Sequence, residues 1–271
     1  MSDEELQIYR LHVGSGPLIA TAVHDGHEIR PELLQFVGLP EADRLREEDP
    51  FTGLWTTAAP TRVVATRSRF EVDLNRPRET CAYREPGDCW GLRLYSKTPP
   101  TAQFERSLAE YDDFYEGMRD LLTDVAREHK RFVVYDLHSY NHRREGPDGP
   151  EADAETNPQV NVGTESIDRK RWGGVVDAFV GSLRSYDFPS AHLDVRENVK
   201  FKGGNWPRWI NKNFPDSGVA IAIEFKKFFM DEWSGDPDRQ ALDDITEALR
   251  STIQPVLTAL AATFDPTEIQ Q

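Results

Sequence analysis

Two histidines stand directly behind two apolar, strand-like segments of this 271-residue chain. His24 follows LIATAV (18–23), and His138 follows FVVYDL (132–137). Neutral imidazole is the commonest protein ligand of zinc, and a strand end holds such a side chain in a fixed position. We therefore predict that His24 and His138 bind a metal ion, with zinc as the candidate. Asp136, two residues before His138, is a candidate to orient its ring.

The third ligand of such a site stays open at this point. A catalytic zinc takes about three protein ligands and leaves one position for water. His27, three residues after His24, is one candidate. The segment REEDP (46–50) offers the carboxylates of Glu48 and Asp49 as alternatives.

A cationic group follows another strand-like segment, RFEVDL (69–74), where Asn75 and Arg76 stand. A guanidinium beside a metal can grip a substrate carboxylate through two parallel hydrogen bonds. We predict that Arg76 binds the carboxylate of an anionic small-molecule substrate, with Asn75 as a further donor. Arg69, one strand length upstream, is a candidate for the same cavity.

A single acidic residue, Glu224, interrupts the apolar segment VAIAIEF (219–225). Burying a carboxylate is costly unless it has a partner or a task. We predict that Glu224 is the general base of a metal-assisted hydrolysis, with a salt bridge to Lys226 or Lys227 as the structural alternative. Tyr140, in the polar stretch behind the third strand, is expected to line the same pocket.

The elements that must position these residues alternate along the chain. Strand composition falls at 18–23, 61–66 continued by 69–74, 132–137, 219–225 and, more weakly, 191–195. Apolar residues at steps of three and four predict helices at 31–38, 101–129, 169–186 and 236–264. This order predicts an α/β fold with a mixed, mostly parallel central sheet flanked by helices, as one domain over residues 1–271. Ligands of such sheets bind beyond the carboxyl ends of the strands, where the polar residues above all fall.

Charge and composition exclude several classes of partner. The formal net charge is −15, which repels nucleic acid and anionic membranes, so an anionic substrate needs a locally cationic pocket. No apolar run approaches the roughly 20 residues of a membrane span, and MSDEELQIYR (1–10) lacks the apolar core of a signal peptide. Two cysteines, both expected to be reduced, complete the prediction of a cytoplasmic protein. The oligomeric state stays open.

Several segments carry a family resemblance when they are taken in chain order. They are HDGHEIRPEL (24–33), REEDP (46–50), SRFEVDLNR (68–76), YDLHS (135–139), NVGTESI (161–167), KFKGG (200–204) and AIEFKKFFMDE (222–232). With them the chain resembles the N-formylglutamate amidohydrolase family, a relative of zinc carboxypeptidases and aspartoacylase. The resemblance runs from Gly16 to Glu232.

The resemblance implies a zinc-carboxypeptidase-like (phosphorylase/hydrolase-like) fold and zinc-dependent hydrolysis of a small N-acyl acidic amino acid. The implied case is N-formyl-L-glutamate, which gives formate and glutamate. The implied roles are first and last zinc ligand for His24 and His138, carboxylate clamp for Asn75 and Arg76, and base for Glu224. The wider group has Glu three residues after its first histidine, where this chain has a second histidine, so His27 and Glu48 stay open as the second ligand, with Asp49 behind them. The alternatives are a carboxypeptidase or cell-wall amidase on the same scaffold, and a non-catalytic carboxylate-binding relative.

Overall fold

A mixed sheet forms the centre of the computed structural model, which describes residues 7–189 and 191–263. Its strands in the described ranges are β1 (Tyr9–His12), β2 (Leu18–Ala22), β3 (Thr61–Ala65), β4 (Phe132–Tyr140), β5 (Val160–Gly163), β6 (Val195–Glu197) and β7 (Gly218–Lys226). Their order across the sheet is β1-β3-β2-β4-β7-β5-β6. β3, β2, β4 and β7 run parallel, β1 pairs antiparallel with β3, and β5 pairs antiparallel with β7 and parallel with β6. The predicted fold class, α/β with a mixed and mostly parallel sheet, is confirmed.

Helices cover both faces of this sheet. Those in the described residues are α1 (Pro31–Leu34), α2 (Glu41–Glu47), α3 (Thr52–Trp55), α4 (Thr101–His129), α5 (Arg169–Ser185), α6 (Asn205–Asn213) and α7 (Arg239–Ala262), with 3₁₀ turns at Thr56–Ala58, Arg78–Thr80 and Pro86–Cys89. One core cluster joins Val133 and Tyr135 of β4 to α5 and α7. The other joins Phe132 and Val134 to α4 and α6. Apolar cover on both faces explains why β4 and β7 are nearly continuous in apolar residues.

The alternation of β4 decides where its functional side chains lie. Residues two apart in a strand share a face. Asp136 and His138 therefore lie on the face of Phe132 and Val134, which is the face of α4 and α6. β7 runs beside β4 with Glu224 in register with His138, so both polar residues reach the same carboxyl edge of the sheet.

The long helices lie close to their predicted positions. α4 matches the predicted helix 101–129, and α5 ends one residue short of the predicted 186. α7 begins at Arg239 rather than at 236, and residue 264 lies outside the described residues. The long polar stretch 140–168 contains the short strand β5.

The predicted strand at 69–74 is wrong. The backbone turns there, because the amides of Glu71 and Val72 both donate to the carbonyl oxygen of Ser68. Alternating apolar residues misled the prediction, since Phe70, Val72 and Leu74 are buried by a turn and not by a strand. The weak strand predicted at 191–195 is reduced to β6, which begins at its last residue.

No helix of the described residues is long and apolar enough to cross a membrane. The prediction that the chain lacks a leader concerns residues 1–10, of which residues 1–6 lie outside the described part. The single-domain organisation and the cytoplasmic location stay predictions.

Candidate metal centre and substrate cavity

Three buried side chains from distant parts of the chain converge at the carboxyl edge of the sheet. His24 lies two residues beyond β2, Asp49 follows α2, and His138 belongs to β4. One ligand atom of each residue lies within 4.8 Å of the others, and the two imidazole centroids are 4.8 Å apart. The structure thus brings His24 and His138 together, as the convergence of strand ends predicts.

The distances from Asp49 to the two imidazoles suit a small cation. Asp49 Oδ2 lies 3.4 Å from His24 Nδ1 and 2.9 Å from His138 Nδ1. Tetrahedral zinc with bonds of about 2.0–2.2 Å places neighbouring ligand atoms roughly 3.4 Å apart. Two imidazoles and one carboxylate are also a donor set that catalytic zinc sites use. The residues therefore fit a zinc ion.

The charges at this place favour a cation. Burial acts to raise the pKa of Asp49, but its hydrogen bonds with His138 and His24 outweigh burial and hold the pKa well below its usual range. Burial acts to lower the pKa of His138, but Asp136 and Asp49 raise it well above the ordinary value. The protein thus stabilises a positive charge between these side chains, which is what a metal ion would supply.

A buried carboxylate orients each imidazole from behind. His24 Nε2 lies 2.7 Å from Asp73 Oδ1, and His138 Nε2 lies 3.0 Å from Asp136 Oδ2. A ring that donates from Nε2 keeps its Nδ1 lone pair directed at the metal position. Asp136 takes the orienting role considered from the sequence. Asp73 was missed, because nothing in its spacing links it to His24.

His27 and Glu48, the other candidate ligands, contact each other instead. His27 Nδ1 is hydrogen-bonded to Glu48 Oε2, and the hydroxyl of Ser68 donates to Glu48 Oε1. The backbone is extended at Glu48, and the amide of Asp49 donates to the carbonyl oxygen of His24 at 3.0 Å. Consecutive side chains of an extended segment point to opposite sides, so Asp49 and not Glu48 meets the imidazoles. The geometry favours Asp49 as the third ligand.

Asp73 connects the metal position to the two arginines predicted to bind substrate. Its Oδ2 accepts a hydrogen bond from Arg69 Nη2 at 2.9 Å and from the hydroxyl of Tyr83, and it lies 3.4 Å from Arg76 Nε. Burial acts to raise the pKa of Asp73, but Arg69 and His24 outweigh it and hold the pKa well below its usual range. One ionised carboxylate therefore holds the imidazole of His24 and both guanidinium groups.

The amide of Asn75 is fixed by the start of α6. Its Oδ1 accepts from the backbone amide of Trp206 at 2.8 Å, so its Nδ2 is the group 3.3 Å from His138 Nε2. His138 Nε2 already donates to Asp136 and cannot accept a hydrogen bond from Asn75. The Nδ2 donor of Asn75 is therefore left for a ligand. Gly204 makes this contact possible, because a Cβ there would overlap the amide of Asn75.

These groups line one cavity of about 310 Å³. Its lining residues are His24, Glu47, Asp49, Arg69, Asn75, Arg76, Trp90, His138, Ser139, Tyr140, Asn141, Arg144, Phe201, Lys202, Gly203, Gly204, Glu224 and Lys227. The guanidinium of Arg76 lies 4.5 Å from the ring centroid of Tyr83 and 5.7 Å from that of Trp90. Tyr140 lines the cavity as predicted, but its hydroxyl donates to the carbonyl oxygen of Pro158. The cavity is therefore cationic and aromatic on the side of the clamp.

Glu224 lines the same cavity. In the described part of the chain, neither Lys226 nor Lys227 forms an ion pair with it, so the alternative of a salt bridge to one of these lysines finds no support. Burial raises the pKa of Glu224 to about 7, with help from Asp49 and Asp136 and against the effect of His138. A carboxylate with this pKa can exchange protons near neutral pH.

Comparison with known proteins identifies a matching family and two solved structures of similar fold. The family model described as N-formylglutamate amidohydrolase matches residues 16–230. A crystal structure of N-formylglutamate amidohydrolase from Ralstonia eutropha aligns with a TM-score of 0.72 at 15% identity, covering 96% of this chain and 100% of that chain. A gene product from Agrobacterium tumefaciens aligns with a TM-score of 0.66 at 15% identity, covering 94% of this chain and 98% of that chain. Among the curated proteins, none matches this chain. The two solved structures share its fold.

Proposed function

Because the chain belongs to the N-formylglutamate amidohydrolase family, we propose that it hydrolyses the amide bond of a small N-acyl acidic amino acid, with N-formyl-L-glutamate as the first candidate. One observation carries the proposal: Asp73 holds both the imidazole of His24 and the two arginines of the predicted clamp. A substrate carboxylate bound by the clamp is thereby kept at a fixed distance from the metal position. A cavity of about 310 Å³ suits a small molecule better than a polypeptide.

In the proposed enzyme His24, Asp49 and His138 hold a zinc ion. When bound, zinc supplies Lewis-acid polarisation of a carbonyl group and makes water acidic enough to react at neutral pH. The orienting contacts of Asp73 and Asp136 keep the two imidazoles in the tautomer that such binding needs.

The remaining chemistry belongs to the side chains around this position. Arg76 and Asn75 bind a carboxylate of the substrate, and Arg69 adds positive charge beside it. Glu224 accepts a proton from the attacking water and delivers it to the leaving nitrogen as the carbon–nitrogen bond breaks. The products are the acyl acid, formate in the first candidate, and the free amino acid.

The direct experiment is an assay of formate release from N-formyl-L-glutamate. Zinc-loaded protein is expected to release formate, chelator-treated protein to lose this activity, and added zinc to restore it. E224Q is the matched catalytic control, because it is expected to bind zinc and substrate while losing about 10²–10⁴-fold in kcat. If zinc-loaded protein hydrolyses no N-acyl acidic amino acid, the proposed substrate class is rejected. Cleavage of peptides alone would favour a carboxypeptidase.

A further inference from the structure

Among the described residues that line the cavity, one cation forms no salt bridge with a carboxylate. Five lysine and arginine side chains of the described residues line it, namely Arg69, Arg76, Arg144, Lys202 and Lys227. The first four each pair with an acid: Arg69 and Arg76 with Asp73, Arg144 with Glu47 at 3.2 Å, and Lys202 with Glu165 at 2.9 Å. Lys227 forms no such pair in the described part of the chain.

Lys227 is nevertheless the most deeply buried of these cations, with 2% of its surface exposed. Its Nζ donates to the carbonyl oxygens of Arg46 and Glu48, both at 2.7 Å. An ammonium has three N–H donors, so one is left beside the cavity. Burial lowers the pKa of Lys227 to about 8, against the effects of Asp49, Glu47 and Glu232. A buried cation with a free donor and no carboxylate in salt-bridge contact is costly unless an anion binds to it.

Two further residues near Lys227 carry a polar atom without a hydrogen-bond partner in the described residues. The amide of Lys227 donates to the carbonyl oxygen of Tyr140 at 3.0 Å, which places it next to the end of β4. Ser139 and Asn141 flank that tyrosine, and they are 6% and 3% exposed. Within the described ranges, Ser139 Oγ and Asn141 Oδ1 have no hydrogen-bond partner, and both residues line the cavity. The hydroxyl can donate to an anion, whereas the amide oxygen can only accept. Unsatisfied buried polar groups cost free energy, which a bound ligand would recover.

We propose that Lys227, Asn141 and Ser139 form a second anion subsite, which binds the second carboxylate of a dicarboxylic substrate. This inference rests on the proposed function, in which the clamp at Asn75 and Arg76 takes one carboxylate. An N-acyl acidic amino acid carries two carboxylates, and the second one needs its own cation. Lys227 would neutralise it, the hydroxyl of Ser139 would donate a hydrogen bond to it, and Asn141 would donate from Nδ2 and not from its oxygen. The enzyme would then select acidic amino acids over neutral ones of the same shape.

The test compares two substrates that differ only in this charge, N-formyl-L-glutamate and N-formyl-L-glutamine. For K227M we expect kcat/KM for the glutamate substrate to fall about 10- to 100-fold, the range of one charged hydrogen bond, with little change for the glutamine substrate. K202M is the matched control, because Lys202 lines the same cavity but is exposed and already paired. It is expected to leave the ratio of the two kcat/KM values unchanged. An equal loss on both substrates in K227M, or no loss, overturns the subsite.

A binding measurement separates this inference from the proposed function. Titration calorimetry of wild type with glutarate and with its monoamide needs no turnover, so it decides the subsite even if no formate is released. Wild type should bind glutarate more tightly, and K227M should bind both equally. N141D leaves the hydrogen bonds of Lys227 in place and should weaken glutarate selectively, which keeps the test valid if K227M does not fold. Equal affinity of wild type for both ligands, or unchanged glutarate binding in N141D, overturns the proposal.

Discussion

The two imidazoles of the candidate metal centre are held in the same way by very different parts of the molecule. Each directs Nδ1 at Asp49 and Nε2 at a buried carboxylate. For His138 that carboxylate is Asp136, two residues earlier on the same strand. For His24 it is Asp73, 49 positions away in a turn that also holds the arginines. One half of the centre is thus local, and the other half is assembled by the whole fold.

The largest expected effect tests whether the two halves are equivalent. H24A and H138A should each lose tight zinc binding and lower kcat/KM by at least about 10³-fold, because Lewis-acid stabilisation is worth several kcal/mol. Metal analysis of the purified variants beside formate release measures this. If a variant keeps one zinc per chain, the histidine that it lacks is not a ligand of the centre.

The ligand shared by both halves gives the next test. D49N is expected to weaken zinc binding by about 10²-fold or more, because Asp49 Oδ2 faces both imidazoles. E48Q changes the neighbouring carboxylate and H27A its hydrogen-bond partner, and both should keep zinc affinity within a few-fold of wild type. Chelator competition gives the three dissociation constants. Loss of zinc in E48Q or H27A with retention in D49N would restore the alternatives open in the sequence.

The difference between the halves predicts unequal effects of their orienting carboxylates. D136N should cost about 10–100-fold in zinc affinity or activity, as is usual for a carboxylate behind a metal ligand. D73N should cost more in kcat/KM, because it also releases Arg69 and Arg76 from the substrate clamp. The added loss should show in KM, whereas zinc affinity should fall to a similar degree in both variants. Equal KM values would mean that Asp73 does not couple the two functions.

The smallest expected effect is a change in folding stability, and it concerns Glu224, which is in register with His138 on the local half. Its pKa is raised to about 7 in the folded protein, so its contribution to stability is full below its unfolded pKa and is lost as the pH rises through 7. E224Q should therefore stabilise the metal-free protein by about 3 kcal/mol at pH 8, and this gain should fall below about 1 kcal/mol at pH 5. Denaturant unfolding of both proteins at the two pH values measures the change. A gain that is the same at both values would contradict a titrating Glu224.

The contrast between the local half of the centre, at His138, and the half assembled by the whole fold, at His24, explains what the sequence could predict. α4 was predicted with its observed bounds because one apolar face recurs over its whole length. β2, β4 and β7 were found because strands covered on both faces are apolar throughout. His138 and Asp136 lie two positions apart on such a strand, so the sequence alone suggests that they pair.

The assembled half could not be predicted in this way. Asp73 lies in a segment that alternates like a strand, but its backbone turns to place the carboxylate between His24 and the arginines. Asp49 ranked behind His27 and Glu48 in the sequence, whereas the extended backbone at Glu48 decides which of the two neighbouring carboxylates faces inward. Such choices depend on contacts between segments far apart in the chain, which periodicity and spacing do not encode.

The missing side chain at position 204 has a consequence for variation of this protein. Gly204 contacts Asn75 where a methyl group would overlap the amide, and that amide is held by the hydrogen bond from the first turn of α6. Any larger residue would displace Asn75, a proposed substrate-binding donor, and would also narrow the cavity that Gly204 lines. In a random library, replacements at 204 should therefore behave as losses of recognition in proteins that still fold.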